Sequence, residues 1–465
     1  MESVRRSITR RALLGGMATA FVASGRVRAA SRSEFHMATF SADVTIPIGH
    51  PCMGGGIAPA REVVDPLLAR GIVLLGEDRP LVLVAVDWCE IRNDAYDRWR
   101  SALAEAAGTD PSRVLVSSVH QHDAPVMDLE AERLLREQRA EGSVCDPAFH
   151  DQALRRVAAA LKDALGSARR VDGIGTGTAR VDRVASNRRY LLPDGSPSFG
   201  RTSATQDEYA REQPEGTIDP MLRTLSFWDG DRPVAALHAY AVHPMSYYGS
   251  GGVSSDFVGR ARALMQEDHP EVFQIYLSGC SGNVTAGKYN DGSTENRPVL
   301  ADRMYRAMRA SWEATRRGPL ERVGFRSTPL TLAPRDDEGF SVAELRDRLA
   351  NDSRPFGQCL AAMGLSWRSR CEQGRPIDLP VIDLGPAVIL LLPGESYVEY
   401  QLLAQRLLPD RFVMAVGYGE CATGYVPTDR AVAEGDTNLL DWCWVAPGAE
   451  AVLAETMAKA IGAKT

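Results

Sequence analysis

The amino-acid sequence predicts an α/β fold, with mixed β-sheets flanked by helices in one large domain. Short apolar runs rich in Val, Ile and Leu alternate with segments of helical spacing along most of the chain. No clear linker divides the chain, and its 465 residues are enough to bury a substantial core. We therefore expect a single domain from about residue 36 to residue 465.

Hydrophobic periodicity assigns each element in chain order. The predicted strands are Leu81–Asp87, Arg113–Val119, Gly173–Arg180, Arg223–Trp228, Ala235–Val242, Val272–Leu277, a strand near Glu321–Leu332, Ala387–Leu392 and Phe412–Val416. The predicted helices are Asp94–Ala107, Pro147–Leu165, Asp256–Glu267, Arg297–Trp312 and Tyr397–Leu408. Two polar stretches are predicted as insertions. Asn187–Pro220 is expected to be a long surface excursion that acts as a lid or substrate loop, and Arg335–Leu379 is expected to hold one helical patch.

Residues 1–30 predict a cleaved signal for twin-arginine export. Arg10-Arg11 precede a Gly/Ala-rich apolar run, and Val27-Arg28-Ala29 is a candidate cleavage site. The alternative is a single membrane anchor, but about a dozen apolar residues are too few to span a bilayer. The expected location is periplasmic or extracellular, with no transmembrane span in the mature protein.

Charge and cysteine usage argue against nucleic-acid binding and against a structural zinc knuckle. Cleavage would remove six arginines and one glutamate, so the formal net charge would move from −7 to −12. Such an acidic protein is a poor candidate for binding nucleic acid. None of the eight cysteines forms a Cys-x-x-Cys pair, which argues against a structural zinc knuckle. Cys359 and Cys371 are the pair that we would test for a disulfide.

Two histidines at the end of a predicted strand are the first chemical signal. His120 and His122 follow an apolar run, and alternate residues of a strand point to the same side. Neutral imidazole is the commonest metal ligand and general base. Taken alone, the pair is more often two polar loop residues, so the interpretation depends on further signals.

Two more predicted strands also end in residues that commonly bind metals. His243 follows the strand Ala235–Val242, and Glu395 follows Pro393-Gly394 after the strand Ala387–Leu392. Each has an ordinary alternative, a structural histidine and a helix-capping carboxylate. Together, two histidines and one carboxylate are a common catalytic zinc shell.

A small-residue turn follows the predicted strand Val272–Leu277. It contains Ser281, and its backbone N–H groups are suited to binding an oxyanion, although an ordinary tight turn is an equal alternative. The turn does not match the Gly-x-Ser-x-Gly nucleophile elbow, and the chain has no phosphate-binding loop. Lys288, just beyond the turn, is either a solvated loop residue or a contact for a substrate carboxylate.

In this order, these segments resemble the neutral/alkaline, non-lysosomal ceramidases. The resemblance begins at Asp43–Pro47 and continues through Tyr425–Thr428, over nearly the whole predicted domain. It implies the catalytic domain of the neutral ceramidase type and a zinc amidase. The residues implied to hold Zn²⁺ are His120, His243, Glu395 and, more loosely, Tyr425.

The resemblance also implies catalytic roles outside the metal shell. His122 corresponds to a catalytic or substrate-contacting histidine beside the metal, Tyr425 to a tyrosine close to it, and Ser281 to the serine of a Ser-Pro-Asn motif. Arg188 corresponds to a site arginine, with Arg189 as the alternative. The chain departs from the family pattern at Gly282, where the family has proline, and at Gln121, Asp123 and Ala124, where the family has threonine, serine and glycine. The family's C-terminal immunoglobulin-like domain is not expected, since 40 residues follow Tyr425.

The sequence thus predicts a zinc-dependent hydrolase that cleaves an N-acyl amide bond with metal-activated water. The expected partner is a small-molecule or lipid-like amide, ceramide or a related N-acylated compound. One alternative is a metallohydrolase of a lactone, a carbohydrate amide or a peptide-like amide. Another is an exported, non-catalytic binding protein on the same fold.

Overall fold

The computed structural model describes residues 34–76 and 78–463. Its strands are Phe35–Asp43 (β1), Glu62–Val63 (β2), Leu68–Leu75 (β3), Leu81–Val86 (β4), Glu90–Ile91 (β5), Val114–Ser118 (β6), Val126–Met127 (β7), Arg169–Val171 (β8), Gly173–Arg180 (β9), Ser186–Asn187 (β10), Tyr190–Leu191 (β11), Pro197–Ser198 (β12), Met221–Asp229 (β13), Arg232–Tyr240 (β14), Gly252–Val253 (β15), Phe273–Ser278 (β16), Val284–Thr285 (β17), Arg316–Pro319 (β18), Gly324–Leu330 (β19), Ile377–Asp383 (β20), Ala387–Leu391 (β21), Glu395–Ser396 (β22), Phe412–Val416 (β23) and Tyr425–Val426 (β24).

The helices lie between and after these strands. They are Asn93–Ala107 (α1), Leu129–Gln138 (α2), Pro147–Leu165 (α3), Glu208–Glu212 (α4), Asp256–Asp268 (α5), Asn296–Glu313 (α6), Val342–Asn351 (α7), Pro355–Glu372 (α8), Val398–Leu407 (α9), Asp429–Ala433 (α10) and Ala449–Ile461 (α11). The predicted export signal at residues 1–30 lies outside the described residues. In the part that the structure describes, no helix is long and apolar enough to cross a bilayer.

Three mixed sheets form the framework. Sheet A has the order β6-β4-β3-β1-β8, sheet B the order β16-β14-β13-β9-β18, and sheet C the order β19-β20-β21-β23. In each sheet one pair at an edge is parallel, β4 with β6, β14 with β16 and β21 with β23, and the other pairs are antiparallel. The predicted mixed α/β architecture is confirmed.

The parallel edges of the three sheets meet inside the molecule. Strand β16 contacts β4 and β6, and β14 contacts β23. Backbone hydrogen bonds join their carboxyl ends, with Gly417 N donating to Ser278 O at 2.9 Å and Ser118 N donating to Tyr418 O at 2.9 Å. Helices α1 and α3 pack on sheet A, α5 and α6 on sheet B, and α9 and α11 on sheet C. The strand ends of all three sheets therefore lie close together.

Both predicted insertions are more ordered than expected. Arg335–Leu379 forms two helices, α7 and α8, and the start of β20, rather than a polar segment with one helical patch. Helix α8 is buried along most of its length, so it shows weak amphipathic periodicity. Within Asn187–Pro220, Arg201 is fully buried and its guanidinium donates to backbone carbonyls. The description of this segment as a surface excursion is therefore wrong for its central part.

The proposed Cys359–Cys371 disulfide is wrong. Both residues lie on helix α8, twelve positions apart, which separates them by about 18 Å at 1.5 Å per residue. A disulfide requires Cα atoms within about 7 Å. All eight cysteines lie in the described residues, and each carries a free thiol.

Candidate metal centre and active-site cavity

Three sheets each supply one side chain to a buried cluster. His120 follows β6 of sheet A, His243 follows β14 of sheet B, and Glu395 follows β21 of sheet C. His120 has a φ of +77°, a conformation rare for residues with a side chain, and its N–H donates to Trp88 O at 2.9 Å. Gly394, with φ +46°, makes the turn that presents Glu395. The convergence expected from strand ends is thus present in the structure.

The ligand-type atoms of this cluster have the separations of a metal shell. His243 Nε2 lies 2.9 Å and His120 Nε2 lies 3.3 Å from Glu395 Oε2. All three ligand atoms lie within 4.8 Å of one another. Tetrahedral zinc with bonds of about 2.0–2.1 Å places its ligands about 3.3 Å apart. Because His120 Nε2 is also buried with no well-oriented hydrogen-bond partner, the residues present fit a divalent cation.

The far nitrogen of each histidine is fixed by a backbone carbonyl. His120 Nδ1 donates to Cys89 O at 2.8 Å, and His243 Nδ1 donates to Ser281 O at 2.6 Å. Such bonds set the tautomer that leaves the Nε2 lone pair free for a metal. The Tyr418 ring also stacks on His120, with centroids 4.3 Å apart. Both imidazoles are therefore held in the orientation that a metal ligand needs.

Electrostatics favour a carboxylate at Glu395 and a neutral imidazole at His243, whereas the Glu395 carboxylate raises the pKa of His120 against the effect of burial. Burial alone would raise the pKa of Glu395, but the His120 and His243 imidazoles outweigh it and hold that pKa well below its usual range. Burial, together with the Arg188 guanidinium, lowers the pKa of His243 to about 4. His243 is thus neutral at neutral pH, which is the form that binds metals.

Of the two candidate arginines, Arg188 is the one at the cluster. Its Nη1 donates to Tyr425 Oη at 2.7 Å, and its Nη2 lies 3.2 Å from His243 Nε2. Arg189 points elsewhere and pairs with Glu434. The parallel pairing of β22 with β24 sets Tyr425 directly opposite Glu395, and burial raises the pKa of the Tyr425 hydroxyl. Tyr425 is therefore a neutral phenol, and Arg188 links its hydroxyl to the cluster.

His122 lies beside the cluster and lines a cavity. Its ring centroid is 5.4 Å from that of His120 and 4.7 Å from that of Tyr248. Its Nδ1 is buried without a hydrogen-bond partner among the described residues. Burial, and then repulsion by His120 and His243, lowers the pKa of His122 well below its usual range. At neutral pH it is therefore a neutral imidazole, and its Nδ1 is open to a ligand in the cavity.

Ser281 and Lys288 are placed differently from the other candidates. Ser281 is fully buried behind the histidines, and its hydroxyl bonds to the hydroxyl of Tyr418 at 2.7 Å. Among the described residues, Ser281 contacts the cluster through its backbone carbonyl, which accepts from His243 Nδ1. Its role in positioning a substrate amide stays a prediction. The Lys288 ammonium donates to Arg211 O at 2.6 Å and Gln213 O at 2.5 Å, so it secures the neighbouring segment instead of facing a ligand.

A cavity of about 220 Å³ opens above the cluster. Its floor includes His120, His122, Arg188, Glu395 and Tyr425. Its apolar walls are Met53, Met245, Tyr248, Phe356 and Trp442, and its polar wall is Thr202, Ser203 and Asn438. The sequence did not identify these wall residues, because they come from distant segments and carry no ligand or catalytic chemistry of their own. Cys89, whose carbonyl orients His120 and whose thiol lies with His120 and His122 in a second group of ligand-type atoms, was missed because no motif in the sequence links it to the histidines.

Comparison with solved structures identifies the fold. The neutral ceramidase from Pseudomonas aeruginosa superposes with a TM-score of 0.67 and 16% identity, over 92% of this chain and 74% of that one. A structure described as ceramidase complexed with C2 superposes with a TM-score of 0.68 and 15% identity, over the same shares. A scan of protein families and a search of curated proteins found no match. The fold predicted from the resemblance is confirmed.

Proposed function

We propose that this protein is a Zn²⁺-dependent hydrolase that cleaves the amide bond of ceramide or a related N-acylated compound. The observation that carries the proposal is the convergence of two imidazole nitrogens and one carboxylate, 2.9 and 3.3 Å apart, on the floor of a cavity. Two further observations support it. The fold is similar to that of solved ceramidases, and the ligand nitrogens are oriented from behind by backbone carbonyls.

The proposed reaction adds water across the amide. The C–N bond breaks, the acyl carbon gains a hydroxyl group and the amine gains a hydrogen. A bound Zn²⁺ would supply Lewis-acid activation of the water and of the scissile carbonyl. His120, His243 and Glu395 would hold it, and their single negative charge would leave the site net positive.

The remaining roles belong to side chains that line the cavity. His122 lines the cavity beside the cluster and has a free Nδ1, so it is positioned to take a proton from the attacking water and deliver it to the leaving amine. The buried Arg188 holds Tyr425 Oη at 2.7 Å, and this pair is suited to hydrogen-bond the oxygen on which negative charge develops. Ser281 supports the site by accepting the His243 Nδ1 hydrogen bond.

The test is zinc content and amine release in matched histidine variants. Purified protein is assayed with a panel of N-acyl amides that includes ceramide, with and without a chelator. We expect chelator-sensitive amine release, and we expect His243→Ala to lose both zinc and activity. His269→Ala, a partly exposed histidine outside the cavity, is the matched control and should keep both. Full zinc content and activity in His243→Ala would refute the assignment.

We also propose that the protein is exported through a twin-arginine signal and acts in the periplasm or outside the cell. The supporting observation is the sequence of residues 1–30. Export of the native protein should yield a mature N-terminus near residue 30. Replacing Arg10 and Arg11 by lysine should retain the protein in the cytoplasm, and continued export of that variant would contradict the proposal.

A further inference from the structure

The cavity above the cluster is small for a lipid hydrolase. Its volume of about 220 Å³ is below the roughly 300–1,000 Å³ of sites for drug-sized ligands. A long-chain lipid is larger than such ligands. The size of the cavity therefore limits which part of a substrate it encloses.

One wall is a pair of aromatic rings held from behind. The rings of Phe356 and Trp442 stack with centroids 6.1 Å apart. Trp442 Nε1 donates to Glu90 Oε1 at 3.1 Å, and Glu90 is itself ion-paired to the buried Arg92 at 2.7 Å. A Cβ at Gly56 would lie 2.7 Å from Phe356 Cζ, so the ring packs closely against the Gly56 backbone. The wall is thus anchored, and a substrate cannot displace it cheaply.

The polar wall is also anchored. Ser203 O accepts a hydrogen bond from Asn290 Nδ2 at 2.7 Å, and a Cβ at Gly287 would lie 1.9 Å from Thr202 O. The buried Arg201 joins this segment to Asn187 O and other carbonyls. The small volume is therefore set by packed elements behind the aromatic wall and behind the polar wall.

We propose that the acyl group of the substrate is short, or a single aromatic ring, and that Phe356 and Trp442 set this limit. The apolar walls match an acyl group, and the charged floor matches the amide carbonyl. This inference rests on the proposed amide hydrolysis and narrows its substrate class.

The test is a series of N-acyl-4-nitroanilides with acyl chains of two to sixteen carbons, assayed with the zinc-loaded full-length protein. We expect kcat/KM to be highest at two to six carbons and about tenfold or more lower at twelve, because each excluded methylene weakens transition-state binding. Trp442→Ala should raise the ratio of twelve-carbon to two-carbon activity by about tenfold. Trp442→Phe enlarges the cavity less than Trp442→Ala does and keeps an aromatic ring in the wall.

Trp312→Ala is the matched control, because Trp312 stacks on Trp228 outside this cavity, and it should leave the ratio unchanged. A wild-type optimum at twelve carbons or more, or no dependence on chain length, would overturn the inference and leave amide hydrolysis standing. Absence of nitroaniline release from every member at full zinc content would overturn this inference, and absence of amine release from the ceramide-containing panel as well would overturn the proposed function.

Discussion

Gly282 lies against the backbone of the proposed carboxylate ligand, and Gly282→Ala tests how closely that ligand must be placed. A Cβ at Gly282 would lie 2.1 Å from Glu395 O and 2.8 Å from Tyr397 Cδ1. The Gly282 N–H also donates to Ser396 O at 3.1 Å, which ties the two segments together. Ordinary contact is about 3.4 Å, so the segments must separate by about 1 Å. The displaced atoms belong to the residue whose carboxylate lies between the two histidines.

The expected effect is a loss of zinc affinity. A change in the residues that hold a metal ligand in place typically reduces metal affinity about 10- to 100-fold, which corresponds to about 1.4–2.7 kcal/mol of binding free energy. Overpacking should also lower the free energy of unfolding by about 1–3 kcal/mol. Competition with a chromophoric chelator gives the zinc Kd, and urea unfolding of the metal-free protein gives the stability.

Gly318→Ala is the matched control, because a Cβ there meets no atom within 4 Å. It should leave zinc affinity and stability unchanged. A zinc Kd for Gly282→Ala within about threefold of the wild-type value would refute the reasoning, because it would mean that the Glu395 segment yields without moving its carboxylate.

Three further predictions concern charged groups. Arg188→Met should reduce kcat/KM about 100-fold or more while zinc content stays full, and Arg189→Met, which only breaks the Glu434 pair, should keep both. Burial raises the pKa of Glu420 from 4.5 to about 7, so the folded state binds a proton that the unfolded state has lost between these pH values. The free energy of unfolding therefore falls by up to about 3 kcal/mol as the pH rises from 4.5 to about 7. Glu420→Gln should flatten this fall in urea unfolding at pH 5 and pH 8, and an unchanged slope would contradict it. Asp87→Ala should cost about 3–5 kcal/mol in guanidinium unfolding, because it leaves the Arg262 guanidinium buried without its two 2.7 Å partners, whereas a loss below about 1 kcal/mol would be inconsistent with a buried pair.

Local signals in the sequence were sufficient where an element has caps and one buried face. Helix α3 was predicted with its observed ends, because Asp146 caps it, Pro147 begins it and Gly166 follows it. Helix α8 was missed because apolar residues surround it on most sides, which removes the periodic signal. Strand β1 and helix α11 were missed as well.

The candidate site shows the same division. His120, His243 and Glu395 could be identified because each follows an apolar strand, and parallel edges of the sheets bring such ends together. The choice between Arg188 and Arg189 needed the structure, since adjacent residues differ only in the direction of their side chains. Phe356 and Trp442 could not be paired from the sequence, because 86 positions separate them and neither carries a charge.

The three proposed ligands come from three different sheets, and this has a consequence for synthesis of the protein. A nascent chain that ends after His243 carries two ligands, and the third is translated 152 residues later. At about 5–20 residues per second, the two-ligand chain persists for roughly 8–30 s. Zinc capture in the final geometry must therefore follow translation of sheet C, so tight zinc retention would report that the whole chain has folded.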